Sequence, residues 1–152
     1  MIHILPAEVT DAAEILALQR LAYQSEAELY QDYGIPPLRQ TQAEMEDDCR
    51  TQTVLKAVDG DAIAGSVRAY AAGGVCNIGR LVVHPDRQRQ GIGTALMARI
   101  EALFPQVERY ELFTGARSEG NLRLYRRLGY VPTETRVLSE RVTLVFLSKP
   151  AA

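Results

Sequence analysis

Residues 81–96 read LVVHPDRQRQGIGTAL, a branched apolar run that passes through a polar loop and two glycines into a helical pattern. Leu81, Val82 and Val83 suit a buried strand. Ile92, Ala95, Leu96, Ile100, Leu103 and Phe104 then recur on one helix face, and Pro105 ends it. A strand that feeds an amphipathic helix lays that helix back on its own sheet, so the chain needs a layered architecture of sheet and helices. The junction also carries chemistry. The first amides of a helix have no partner within it, and the helix dipole is positive there. Gly91 and Gly93 let a ligand approach that backbone. Arg87 and Arg89 add positive charge, so the segment is built to bind phosphate.

The other elements follow from periodicity and turn signals. Asp11 is placed to cap a helix, with Glu14 as capping-box partner, before Ile15, Leu18 and Ala22 at helical spacing. Residues 23–40 break at Gly34-Ile35-Pro36-Pro37, where two prolines stop a helix. A short polar helix over 41–50 has Thr41 as its cap. Strands are predicted over 53–58 and 62–70, joined at Asp59-Gly60, and over 75–83 after Gly73-Gly74. A strand at 110–114, a helix carrying Leu122, Tyr125 and Leu128 with Gly129 as C-terminal cap, and strands at 130–135 and 142–147 complete the chain. This order calls for an α/β or mixed α+β fold with both parallel and antiparallel pairing.

At 152 residues the chain suits one domain with a filled core. The N-terminus lacks a basic segment followed by an apolar one, so no signal peptide is expected. No apolar run reaches the ~20 residues that span a bilayer, and a cytoplasmic protein is expected. Cys49 and Cys76 read as free thiols rather than a disulfide framework. His3 and His84 are too few for a histidine metal cluster, and no metal is expected. The net charge of −2 hides twelve acids against four bases over 1–61, and five acids against nine bases over 80–127. That split suits a polyanion at the middle of the chain and a cationic group at its first third. Nucleic acid is not an expected partner.

Three phosphate-binding patterns compete for the loop. A Walker loop requires Gly-x-x-x-x-Gly-Lys, which is absent. The dinucleotide fingerprint Gly-x-Gly-x-x-Gly/Ala fails at Leu96, and it normally opens the first βαβ unit. Gln88, Gly91 and Gly93 instead meet Gln/Arg-x-x-Gly-x-Gly/Ala, preceded by Leu81, Val83 and Pro85. A second block, 116–130, reads ARSEGNLRLYRRLGY. Together they resemble the GNAT superfamily of N-acetyltransferases. The resemblance spans roughly 1–149, read as a single domain, and is sharpest over 80–96 and 114–131.

That resemblance implies a GNAT-like acyl-CoA N-acyltransferase fold, a central mixed, mostly antiparallel sheet flanked by about four helices. It implies acetyl-CoA as cosubstrate and transfer to a primary amine by direct attack in a ternary complex. The pantetheine arm would lie between splayed strands, paired to the backbone of Leu81, Val82 and Val83. The pyrophosphate would rest on the amides of Gln88, Arg89, Gln90, Gly91, Ile92, Gly93 and Thr94. Asn121 would contact the pantetheine arm or the phosphate side, and Tyr125 would be the general acid. Taken alone, Tyr125 in line with Leu122 and Leu128 reads as core packing. Neither cysteine falls on a motif position, which argues against a covalent relay.

The general base is less marked. Family members often place a Glu on the central strands or use a water chain. Here 75–83 reads VCNIGRLVV, with Asn77 and Arg80 and no carboxylate. Glu28, Asp32 and Glu111 are candidates, and a water relay ranks above them. The acceptor side is expected from 23–40, with Tyr23, Tyr30, Tyr33, Glu26, Glu28 and Asp32, and from the hairpin around 136–140. Aromatics with acids suit a cationic amine. The acceptor is open between a small molecule (polyamine, amino acid or aminoglycoside) and a protein amine. A non-catalytic acetyl-CoA-binding module is the rival of another class. A homodimer is the default assembly.

Overall fold

The computed structural model describes residues 1–151. Its sheet begins as a meander. Strands β1 (Ile2–Pro6), β2 (Thr53–Asp59), β3 (Ala62–Ala72) and β4 (Val75–Val83) pair antiparallel in sequence. The turns are made by Gly60 and by Gly73-Gly74, all at positive φ. After β4 the chain crosses over through a helix and returns as β5 (Arg109–Gly115), parallel to β4. Strands β6 (Val131–Val137) and β7 (Thr143–Pro150) close the order β1-β2-β3-β4-β5-β7-β6.

Six α-helices flank the sheet among the described residues: α1 (Ala12–Ala22), α2 (Gln24–Tyr30), α3 (Pro36–Arg39), α4 (Gln42–Thr51), α5 (Ile92–Ala102) and α6 (Glu119–Arg127). The resemblance implies about four. The excess comes from 23–40, where α2 ends in a left-handed Gln31 and the two prolines open the single turn α3 rather than only stopping a helix. Proline at the first helical positions loses no bond, because those N–H groups have no intrahelical partner. Thr41 caps α4 as expected, accepting from the Glu44 amide at 3.2 Å. The Asp11–Glu14 box does not form. Asp11 instead accepts from the Glu8 amide at 2.8 Å and pairs with Lys56 at 2.9 Å. Glu14 reaches across to the Ile63 amide at 2.9 Å. Strand β1, which no turn signal marks, is held by its ladder to β2.

Alternation along the strands feeds two cores, one on each face. Leu55 packs with Leu96, Met97 and Ile100 of α5, while its neighbour Val54 packs with Ile15 and Met45 of α1 and α4. A third, smaller cluster joins Ala27 and Tyr30 of α2 to Ile35 and Val142.

The sheet comes apart in one place. Strands β4 and β5 pair only at Val75↔Arg109, Cys76↔Tyr110 and Asn77↔Glu111. Past that point β5 continues with β7 alone, through Gly115↔Leu144. The register of β4 on β3 also jumps, from Gly79↔Arg68 to Val82↔Ser66. Two residues of β4, Arg80 and Leu81, thus face one of β3, a bulge that bends the strand. Arg80 adopts φ 51 there, which for a residue with a side chain costs roughly 1–2 kcal/mol. Its guanidinium offsets that cost by donating to Gln40 Oε1 at 2.8 Å. Gln19 Nε2 donates to the same oxygen at 2.9 Å, and Gln40 Nε2 donates to Asp48, which also pairs with Arg68.

Leu96 is fully buried under the sheet. Leu96→Ala is expected to destabilise the fold by about 2–5 kcal/mol, read in urea unfolding as a lower midpoint with an unchanged slope.

Candidate active site

The parted strands open into a cleft of about 700 Å³. One wall is Leu81, Val82 and Val83 of β4; the other is the start of α6, with Gly120, Asn121 and Leu124. The loop from Arg87 to Thr94 forms one end, and Tyr23 and Glu26 of the α2 region also line the cleft.

At the loop end the backbone is left open. His84 caps a short turn over Pro85–Arg87 by accepting from the Asp86 amide at 3.1 Å. Arg87 fastens the loop to the β2–β3 turn through Asp59 at 2.9 Å, and to Gln90 at 3.1 Å. Arg89 and Gly91 then take left-handed φ values of 62° and 83°. The first bond of α5 is Ala95 N–H to the Gly91 carbonyl. Among the described residues, no backbone N–H from Gln88 to Thr94 donates to the protein. Arg87, Arg89, Arg123 and Arg127 border the same cleft. Unpaired amides, a helix start and guanidinium groups together fit a diphosphate.

The opposite end is held by hydrogen bonds between α2 and the entry to α6. Ser118 Oγ donates to Glu26 Oε2 at 2.5 Å. The Tyr30 hydroxyl accepts from the Arg117 amide at 2.9 Å and meets Ser118 Oγ at 2.8 Å. Because Ser118 gives its one proton to Glu26, Tyr30 is the donor in that pair. Asn121 Nδ2 donates to Thr114 Oγ1 at 3.2 Å and to Glu26 Oε1 at 3.4 Å. This tie is possible because residue 115 is glycine. A β-carbon there would lie 1.9 Å from the Tyr30 hydroxyl oxygen.

Tyr125, one turn beyond Asn121, is 7% exposed and belongs to the core, edge-on to Tyr130 at 6.1 Å. It does not line the cleft. Its hydroxyl has no hydrogen-bond partner among the described residues, yet no buried side-chain oxygen there lacks one, so the hydroxyl reaches accessible space. Burial raises its pKa above the ordinary phenol value, and the nearby Tyr23 and Glu26 add to that. It therefore stays protonated through the neutral range.

Leu81, Val82, Val83, Gln88, Arg89, Gly91, Ile92, Gly93, Thr94 and Asn121, anticipated from sequence, all line the cleft. Gln90 does not; its side chain turns to Arg87. Glu28 and Asp32, expected on the acceptor side, are not brought there. Glu28 is on the exposed face of α2, and Asp32 accepts from the Gly34 amide at 2.9 Å. Glu111 pairs with Arg109 at 2.6 Å. The hairpin at 136–140 does not line the cleft either, although Arg141 beyond it bonds the Gln31 carbonyl. The acid that does reach the cleft is Glu26. Of the residues expected from 23–40, Tyr23 and Glu26 are the two that line the cleft.

A sheet that parts beside an open helix start is the architecture of the acyl-CoA N-acyltransferases. The chain belongs to the acetyltransferase (GNAT) family, whose model matches residues 14–130. It is 30% identical over 128 residues to UPF0157 protein YqkA of Bacillus subtilis (strain 168). That match takes in 84% of the chain but only 37% of the relative's length. Among solved structures, the ribosomal-protein-S18-alanine N-acetyltransferase of Escherichia coli superposes with a TM-score of 0.81 at 18% identity, covering 100% of this chain and 95% of that one. PaiA N-acetyltransferase of Thermoplasma acidophilum, in complex with coenzyme A, gives 0.83 at 12% identity, with 99% of each chain covered. No helix among the described residues is long and apolar enough to cross a membrane.

Gly115→Ala is expected to displace Tyr30 and destabilise the protein by about 1–3 kcal/mol. In a double-mutant cycle with Tyr30→Ala, the Tyr30 share of that cost should vanish, leaving the 2.9 Å contact to Ser118 Oγ. Additive unfolding energies would contradict the tie.

Proposed function

We propose that residues 1–149 act as an N-acetyltransferase domain that moves an acetyl group from acetyl-CoA to a primary amine by direct attack in a ternary complex. The observation that carries this is the run of unpartnered amides from Gln88 to Thr94 at the mouth of the parted sheet. In this reading they take the pyrophosphate, with the flanking arginines. The backbone of Leu81, Val82 and Val83, freed from β5 by the splay, pairs with the pantetheine arm. Asn121 has its amide donors engaged, which leaves its carbonyl oxygen. That oxygen suits an N–H of the pantetheine arm rather than a phosphate.

The chemistry needs an unprotonated amine, an oxyanion stabiliser and relief for the departing sulfur. An aliphatic amine has a pKa of about 10 and is mostly cationic at neutral pH, so a proton must leave before attack. Backbone N–H groups of β4 near the bulge are the donors for the charge on the thioester oxygen. Tyr125, held protonated, gives its proton to the thiolate and regains one from the attacking nitrogen, since a phenol so raised does not stay ionised. Neither cysteine suits a covalent route. Burial pushes Cys76 up to about 11 and also raises Cys49, so both are thiols at neutral pH.

Gly93→Ala tests the cofactor end. Its methyl would sit 3.7 Å from Leu124 and Val83, its nearest contacts beyond its own helix, so the fold tolerates it, but it would enter the cleft. Acetyl-CoA affinity by calorimetry is expected to fall about tenfold, or about 1.4 kcal/mol; unchanged affinity would remove the loop assignment. Tyr125→Phe loses no hydrogen bond within the protein. It should lower kcat by about tenfold or more while leaving acetyl-CoA affinity within twofold, followed as thiol release. An unaltered kcat would return Tyr125 to the core alone.

A further inference from the structure

The cleft is strongly asymmetric in charge. Four arginines border it, Arg87 and Arg89 from the loop and Arg123 and Arg127 from α6, and Glu26 is the only carboxylate among the described residues that line it. No cation pairs with Glu26 among the described residues; its partners are the neutral donors Ser118 and Asn121. The relay from Arg117 N–H through Tyr30 and Ser118 is directed entirely at Oε2. Oε1 receives only the long 3.4 Å contact from Asn121. A carboxylate offers roughly four acceptor positions, so Oε1 keeps capacity for a strong donor. A purely structural tie needs the Oε2 bond alone. Tyr23, half-buried on the same side, adds an aromatic wall beside it.

We propose that Glu26 is the acceptor-binding residue: its Oε1 takes the ammonium of an aliphatic primary amine and removes the proton that blocks attack. This rests on the acetyltransferase reading and names its substrate class. The nitrogen sheds two protons in all. The first passes to Glu26 and on to water, freeing the lone pair. The N–C bond then forms and the thioester C–S bond breaks, with the electron pair leaving on sulfur. The second proton ends on that sulfur by way of Tyr125. An arylamine, neutral at the same pH, has no ammonium for Glu26 and is selected against.

Glu26→Gln tests this, because Gln keeps an oxygen for Ser118 while losing charge and basicity. Wild-type and variant protein would be assayed for thiol release with pentane-1,5-diamine and with aniline. Coenzyme A affinity would be measured alongside by calorimetry. The expected result is a loss of thirtyfold or more in kcat/KM for the diamine, coenzyme A affinity within twofold, and a narrower preference over aniline. The variant's log kcat/KM should climb with pH toward about 10, following the free amine, whereas the wild type levels off earlier. Glu26→Asp should recover part of the loss. A variant within threefold of wild type, with the same pH profile and the same diamine-to-aniline ratio, overturns the proposal. Wild-type protein that leaves coenzyme A unbound overturns the transferase reading and this one with it.

Discussion

Everything at the site depends on a ladder that stops. Strands β4 and β5 share three residue pairs and then separate. Two causes act together. The bulge at Arg80 and Leu81 bends β4 away, and β5 is captured by β7 along its full length. Unpaired strand edges inside a protein carry a desolvation penalty unless something bonds them, so the gap is a place where a ligand's own amides can complete the sheet. The helix start beside it presents a second set of open donors. A cofactor with a peptide-like arm and a diphosphate answers both needs at once.

The bend is held from behind. Gln19, Gln40, Asp48, Arg68 and Arg80 form one network between α1, α3, α4 and the two strands. Gln19 and Gln40 are both buried, where an unmatched polar group is expensive. Each therefore fixes the next, and the left-handed Arg80 is the member that converts the network into a kink of β4. Tyr23, which lines the cleft, joins this network to the second one: its amide donates to the Gln19 carbonyl at 3.0 Å. The second set of side chains runs from Arg117 through Tyr30 and Ser118 to Glu26.

How far the site could be read in advance varied with the kind of residue. The loop from Gln88 to Thr94 could be placed at the cleft in advance, because glycines with a following apolar stripe mark an open helix start directly. Asn121 could be placed there from its register before Tyr125. The acceptor side was not. Glu26, Glu28 and Asp32 lie within seven positions of one another, and no pattern says which faces inward. That choice depends on where α2 ends, at the left-handed Gln31. It also depends on Gly115, whose missing side chain lets Tyr30 approach β5. The first is local, but the Tyr30 bonds that Gly115 admits join residues nearly ninety positions apart.

The sequence by itself determined the local elements and the open helix start, because turns, caps and apolar periodicity act over a few residues. It determined most of the sheet's strands in the same way, though β1 acquires its role only by pairing with β2. The tertiary structure decided which acid enters the cleft, that Tyr125 lies in the core with only its hydroxyl reaching out, and where the strands part. Those outcomes turn on burial and on long-range hydrogen bonds. Their energies depend on neighbours that only the folded chain brings together.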